Sequence, residues 1–309
     1  MLVRRKWLID MVDYFFAGGP IKEVENLIES EGYCRLFSYF NELNYLNKVR
    51  FTKNSIKGKL FVDSGAFTAW TKGICVDVNK YIEWLNTNEE HIYLAGQVDC
   101  IPGKFGEKSS MQERKKAAEC SWENYLYMKS KLNNPNLVVY TFHLGEDYLF
   151  LQNALKDKSC KYIALGGTVG SSVTVKKDFF NKCFSIIKKS NNPNVKVHGF
   201  GMTSLSLLPQ FSFASVDSTS WIITAANGNI FSDYGIISLA EKDKYCKKSI
   251  LYLPKEIKSV IENNIQKFGY TLQELSESYK CRALYNVKYL HYKVSTFKCN
   301  QNLFKNHLF

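Results

Sequence analysis

Six stretches of the chain run from apolar residues into a residue that can do acid–base or recognition chemistry. Phe61-Val62 leads into Asp63-Ser64-Gly65. The run from Ile92 to Val98 ends at Asp99. Leu137 to Phe142 ends at His143, with Glu146 close behind. Tyr162 to Leu165 ends at the pair Gly166-Gly167. Val195 to Val197 ends at His198, and Phe213 to Val216 ends at Asp217. Residues at the C-terminal ends of parallel strands gather on one face of an α/β protein, where reactions take place. Three carboxylates there allow a division of labour, in which one attacks as a nucleophile and another moves protons. Asp63, Asp99 and His143 also suit a metal cage. A glycine pair at a strand end lets backbone N–H groups come close to a flat ligand. Taken singly, the residues have plainer readings. Asp63 alone reads as the cap of the segment after it. Glu146 reads either as the residue that orients His143 or as a solvated acid at a helix start.

Gathering these tips on one face requires strands that alternate with helices. Leu8 to Phe16 suits a first strand, stopped by Ala17-Gly18-Gly19-Pro20, and Tyr33 to Phe40 a second. Lys59 to Asp63 and the five later runs supply more strands. Asn229 to Ser232 and Gly235 to Leu239 are candidates for the last one. Helical periodicity marks Ile21 to Ser30, Val76 to Asn86, Met111 to Leu132, Tyr148 to Ala154 and Phe179 to Lys189. Leu205 to Leu208 reads as a short helix, and the residues from Phe40 to Lys59 as a polar connection. Strand, polar or glycine tip, then helix is the pattern of a parallel sheet. No GxGxxG opens the first unit, which argues against a dinucleotide-binding fold. Some seven or eight such units over roughly 250 residues predict a (β/α)8 barrel. It would span residues 1–240, with a helical extension over 241–309 packed on it.

The 309-residue chain is 45% hydrophobic and 23% charged, the balance of a globular protein with a sizeable core. No apolar run reaches the roughly 18 residues of a membrane span. Asp10 and Asp13 make the basic N-terminus a poor signal peptide. The nine cysteines, scattered with no CxxC pair, read as reduced and mostly buried thiols of a cytoplasmic protein. A net charge of +12 points to a polyanionic partner such as nucleic acid, or else to solubility charge in a Lys-rich composition. That charge is uneven. From Glu241 onward 13 Lys and Arg face 6 Asp and Glu. Lys280, Arg282, Lys288, Lys293, Lys298 and Lys305 interleave with Tyr279, Tyr285, Tyr289, Tyr292, Phe297 and Phe304. Basic and aromatic residues mixed this way suit phosphates and bases. A helix with packed aromatics and solvated lysines has the same pattern.

As a set, the tips resemble the guanine transglycosylases, (β/α)8 barrels that exchange a guanine in nucleic acid for a 7-deazaguanine. Asp63-Ser64-Gly65-Ala66-Phe67 is similar to that family's DSGGFQ motif, with Ala66 and Thr68 as departures. Val98-Asp99-Cys100 is similar to its FDE-type segment, with Cys100 replacing Glu. Phe142-His143-Leu144-Gly145 falls where the family has QGG. Ala164-Leu165-Gly166-Gly167-Thr168-Val169-Gly170 is close to IGGLAVG, and Gly199-Phe200-Gly201 resembles GVG. Val216-Asp217-Ser218-Thr219-Ser220-Trp221 is similar to the archaeal-type FDSASY. The order is kept from Lys59 to Trp221.

The resemblance implies roles for these residues. Asp217 would be the nucleophile and Asp63 the general acid and base. Phe67 and His198 would sandwich the base. Asp99 would accept from its N1–H and 2-amino group, while His143 and the Gly166-Gly167 amides address its O6 side. No CxCxxC cluster follows Asp217, only the widely spaced Cys246, Cys281 and Cys299, so the family's zinc subdomain is not expected. The chain looks more like the DNA-guanine transglycosylases of phage and bacterial 7-deazaguanine DNA modification. That implies a DNA substrate that is flipped out or single-stranded, and a base such as preQ0 as co-substrate. It implies no cofactor and no metal. A homodimer or accessory DNA-modification proteins would be further partners, in a bacterial or host cytoplasm. A queuine- or preQ-type tRNA-guanine transglycosylase is the alternative within the family. A non-catalytic nucleic-acid-binding barrel and a metal-dependent barrel hydrolase are alternatives outside it.

Overall fold

The computed structural model describes residues 12–51, 56–202, 204–240 and 246–297. Eight strands form a closed parallel barrel in chain order, the (β/α)8 architecture that the spacing predicts. They are β1 Asp13–Phe16, β2 Arg35–Ser38, β3 Leu60–Asp63, β4 Leu94–Gly96, β5 Val138–His143, β6 Tyr162–Gly166, β7 Lys196–Gly199 and β8 Ser215–Ser218. The ring closes where β8 pairs with β1, setting Asp217 beside Phe15. Outside it lie α1 Lys22–Glu31, α2 Tyr39–Tyr45, α3 Ala66–Thr71, α4 Val78–Thr87, α5 Met111–Lys131, α6 Tyr148–Ala154, α7 Val173–Lys189 and α8 Ser220–Ala226. Residues 8–11 of the expected first strand lie outside the described residues. Among those described, no helix is long and apolar enough to cross a membrane.

Successive side chains on a strand point to opposite faces. Here one face packs under the helices and the other fills the barrel. Phe15, Leu36, Phe61, Leu94, Val139 and Ala164 form the inner cluster. Tyr14, Phe16, Val62, Val138, Tyr140 and Ile163 belong to the outer one. This period of two decides where the polar tips go. Asp63 follows Phe61 by two residues and Ser38 follows Leu36 by two. Thr141 and then His143 continue the inward series from Val139, and Gly166 continues it from Ala164. Each is therefore aimed into the barrel mouth.

Three segments differ from expectation. The stretch after β2 is helical: α2 continues into a π-helical turn, Leu46–Arg50. Its polarity misleads because Arg50 is buried, held by Glu29 and by Glu25 at 3.7 Å, and lies over the Phe37 ring at 5.5 Å. The second difference is at the supposed last strand. β9 Asn229–Ser232 and β10 Gly235–Ser238 pair with each other, antiparallel, outside the barrel, because β8 already fills the eighth place. The third is at the cysteines. Cys100 and Cys120 form a disulfide, because the loop after β4 folds back on α5 and brings their Cα atoms to 5.8 Å. Cys160 and Cys183 are buried as free thiols, but Cys75 and Cys246 are exposed.

After β10 come α9 Lys255–Lys267, α10 Leu272–Glu277 and α11 Tyr279–Ser295. The last packs against β1, α1 and α8 and buries Tyr285, Asn286, Val287, Tyr289 and Leu290. The Asn286 amide donates to the Trp221 and Asn229 carbonyls and accepts from Phe231 N–H. The basic–aromatic alternation of this helix therefore has a packing cause. Its cations are engaged within the molecule: Lys280 with Glu23, Lys293 with Asp233, Arg282 with the Ala225 carbonyl and Lys288 with the Phe268 carbonyl. Lys298, Phe304 and Lys305 lie outside the described residues.

Candidate active site

A cavity of about 650 Å³ opens at the C-terminal ends of the strands. That volume is in the range of small-molecule sites. Asp63, Asp99, Thr141, His143, Gly166, Gly167, Phe200 and Asp217 line one part of it. Gly18, Gly19, Ser38, Asn41, Glu42 and Thr219 line the other. Six of the eight residues expected from sequence thus share one cavity. Phe67 and His198 do not line it.

Asp63 ends β3 where the chain turns into α3, and its Oδ2 accepts the Gly65 N–H at 2.9 Å. Neighbouring β4 presents Gly96, where a Cβ would come within 3.2 Å of Asp63 Oδ1 and crowd the carboxyl. Enclosure, reinforced by the nearby charges of Asp99 and Asp217, pushes the Asp63 carboxyl up to about 7. Asp63 is thus a carboxyl that can hold or release a proton near neutrality.

Asp217 sits three strand positions away around the ring, on β8. Its Oδ1 accepts the Gly201 N–H at 2.8 Å and meets His198 Nε2 at 3.3 Å. Neither bond uses Oδ2. His198 pairs in register with Ser215, one inward layer below Asp217. That layer is closed over, so His198 is 0% exposed, among Phe15, Phe61 and Phe200. The stacking role expected for it is overturned: it reaches the cavity only through Asp217. Phe67 is 61% exposed and packs on Trp70 at the rim, because α3 carries its ring away from the mouth. The aromatic ring that does line the cavity is Phe200.

His143 stands between two carboxylates. Nε2 is 3.3 Å from Asp99 Oδ2 and Nδ1 is 3.0 Å from Glu146 Oε1. Glu146 also accepts the His143 backbone N–H at 3.1 Å. Of the two readings of Glu146, the structure selects the one that orients His143. Burial alone would lower the imidazole, but Asp99 and Glu146 outweigh it and hold the ring well above its ordinary value. With both nitrogens engaged, His143 has no free donor for a base oxygen while Asp99 keeps its bond. Among the described residues no group of three or more His, Cys, Asp or Glu side chains is arranged to hold a metal, the Asp63–Asp99–His143 set included. Gly166 and Gly167 make room for this imidazolium. A Cβ on Gly166 would meet the ring at 3.1 Å, and Gly167, at φ +72°, would meet the Leu144 amide at 3.0 Å.

Sequence reasoning missed the supports. Gln97 donates to Asp99 Oδ1 at 2.8 Å and is itself buried. It precedes Asp99 by two residues, and both lie past the end of β4, out of step with the inward pair Leu94 and Gly96. Arg35, buried on β2, donates to the Gly18 carbonyl at 2.6 Å and to Glu25 at 2.8 Å, and so holds the loop that walls the other side. The partnership of residues 17 positions apart left no local signal. Neither a protein-family model nor a curated protein sequence matches the chain.

Proposed function

We propose that the protein is a base-exchanging guanine transglycosylase acting on nucleic acid, with DNA as the polymer. One observation carries this reading. Asp63, poised near neutrality, faces the same cavity as Asp217, whose Oδ1 is fixed by Gly201 and His198. A carboxyl that gives up a proton and a carboxylate that attacks are the two groups a double-displacement glycosyl transfer requires. In this scheme Asp217 attacks C1′ of the target nucleotide as the bond to guanine N9 breaks. Asp63 protonates the departing base. The sugar is then held as an ester on Asp217. An incoming 7-deazaguanine gives its N9 proton to Asp63 and attacks C1′, and the ester bond breaks to free Asp217.

In this scheme Asp99, held by Gln97 and His143, accepts from the N1–H and 2-amino edge of the base. Phe200 supplies an aromatic face in the cavity, the part that sequence reasoning gave to His198. Chain resemblance favours DNA over tRNA, because the residues after Asp217 lack the cysteine cluster of the tRNA enzymes. The test is exchange of labelled guanine into DNA and into tRNA, followed by denaturing isolation of protein–DNA adduct. Asp217→Ala should abolish both exchange and adduct. Full exchange by that variant would sink the scheme.

A further inference from the structure

The rim beside the cavity carries aromatic surface that the fold does not use. Phe105, in the loop between β4 and α5, is 65% exposed, and Phe67 on α3 is 61% exposed. Trp70 stands between them, with ring centroids 5.7 Å from Phe67 and 5.6 Å from Phe105. The Trp70 indole N–H donates to the Gly103 carbonyl at 2.9 Å, tying the α3 turn to the β4–α5 loop. These are thus three rings in one fixed row, not a floppy tip. Exposed Ile74 and Met111 flank them in the chain. Contiguous exposed apolar surface of this kind marks a contact face.

Exposed cations stand beside the row: Lys72 after α3, Lys104 and Lys108 in the loop, and Arg114, Lys115 and Lys116 in the first turns of α5, against Asp77, Glu107, Glu113 and Glu119. Glu113 is turned back onto Ser110 in a capping box. Stacking rings beside cations are the chemistry of single-stranded nucleic acid: bases lie on the rings while phosphates meet the cations. A protein partner would want the apolar row without a surplus of one charge sign. We infer that the Phe67–Trp70–Phe105 row is a stacking platform for the unpaired nucleotides next to the one in the cavity. The inference deepens the proposed function and rests on nucleic acid being the substrate.

Binding can be read apart from catalysis. Fluorescence anisotropy with a short labelled single-stranded oligodeoxynucleotide, and with the RNA of the same sequence, measures the contact directly. The paired substitution Phe67→Ala with Phe105→Ala removes two exposed rings, and the fold can be checked by circular dichroism. It should weaken binding at least roughly tenfold, since a stacked base is worth about 1–3 kcal/mol. Lys104→Gln with Lys108→Gln should lessen the dependence of binding on salt, by about 0.7 per contact in the logarithmic slope. Preference for the DNA or the RNA strand identifies the polymer, and tight binding by either supports the platform. An oligonucleotide affinity unchanged by the double aromatic variant overturns it. So does a wild-type protein that binds neither strand. Should wild type bind through this row yet exchange no base, the transglycosylase scheme falls and the platform stands.

Discussion

His198 Nε2 lies 3.3 Å from Asp217 Oδ1 at the bottom of the cavity, in a layer with no exposed surface. The other ring nitrogen is 2.8 Å from Ser215 Oγ, which in turn takes a bond from the Tyr162 hydroxyl at 3.2 Å. Tyr162 donating to Ser215, and Ser215 to Nδ1, leaves the ring proton on Nε2, aimed at Asp217. His198→Phe keeps a ring and removes the donor. It should lower stability by about 1–3 kcal/mol, because Ser215 and Asp217 each lose a buried partner. Under the proposed scheme it should also cut kcat of base exchange by roughly 100-fold with little change in KM, as loss of positioning does. Kinetics in which KM alone changes would contradict this.

The Asp63 carboxyl gives a pH signature. In the fold it titrates at about 7, against 3.8 in the unfolded chain. Between those values the folded state holds the extra proton, so the contribution of Asp63 to stability falls as pH rises through that window. Asp63→Asn should therefore gain over wild type as pH rises, with the difference vanishing near about pH 4. Thermal unfolding of both proteins across that range reads it directly. A difference that stays constant with pH would refute the assignment. Under the proposed scheme, in which Asp63 protonates the departing base, exchange activity should decline above about pH 7.

Glu146 and Asp99 raise His143, so the sign there is opposite. The imidazolium's contribution is complete below the ordinary value of 6.5 and is lost as pH rises through the higher folded value. Glu146→Gln should bring the His143 titration down. The imidazole C–H resonances followed by NMR against pH test this, and a midpoint that does not move would show that Glu146 does not hold the charge.

The Cys100–Cys120 bond closes a segment with a sequence separation of 20 and sits next to Asp99. Removing it by Cys120→Ser should cost about 3 kcal/mol through the unfolded chain. Asp99 keeps Gln97 and His143 in that variant, so affinity for the free base should change less than stability. Denaturant melts beside base-binding titrations would show whether the two separate.

Much of the architecture was legible because parallel strands repeat one short pattern, apolar residues running into a polar or glycine tip. The inward parity of Asp63, His143, Gly166 and Asp217 follows from that pattern. What was illegible is depth and distance. His198 and Asp217 look alike as strand tips, yet the β7–β8 register puts one a layer below the other. Phe67 and Phe200 are both aromatics after a tip, and only the path of α3 decides which one faces the cavity. The clasp of Arg35 on Gly18 and the α2 turn around Arg50 depend on buried ion pairs between separate elements. A polar stretch met in isolation reads as a connection.

The inward spacing by two also bears on which length changes the chain can survive. The strands are short, and Asp63, His143, Gly166 and Asp217 owe their direction to an even count from an interior side chain. One residue inserted in β5 before Thr141 would turn Phe142 into the cavity and send His143 under the helices. Asp99 and Glu146 would be left without their shared cation. Insertions in the loops that follow the tips leave that count intact. Natural or engineered variation in length therefore belongs in the loops after β4 and β6, and the strands admit exchange of residues but not of number.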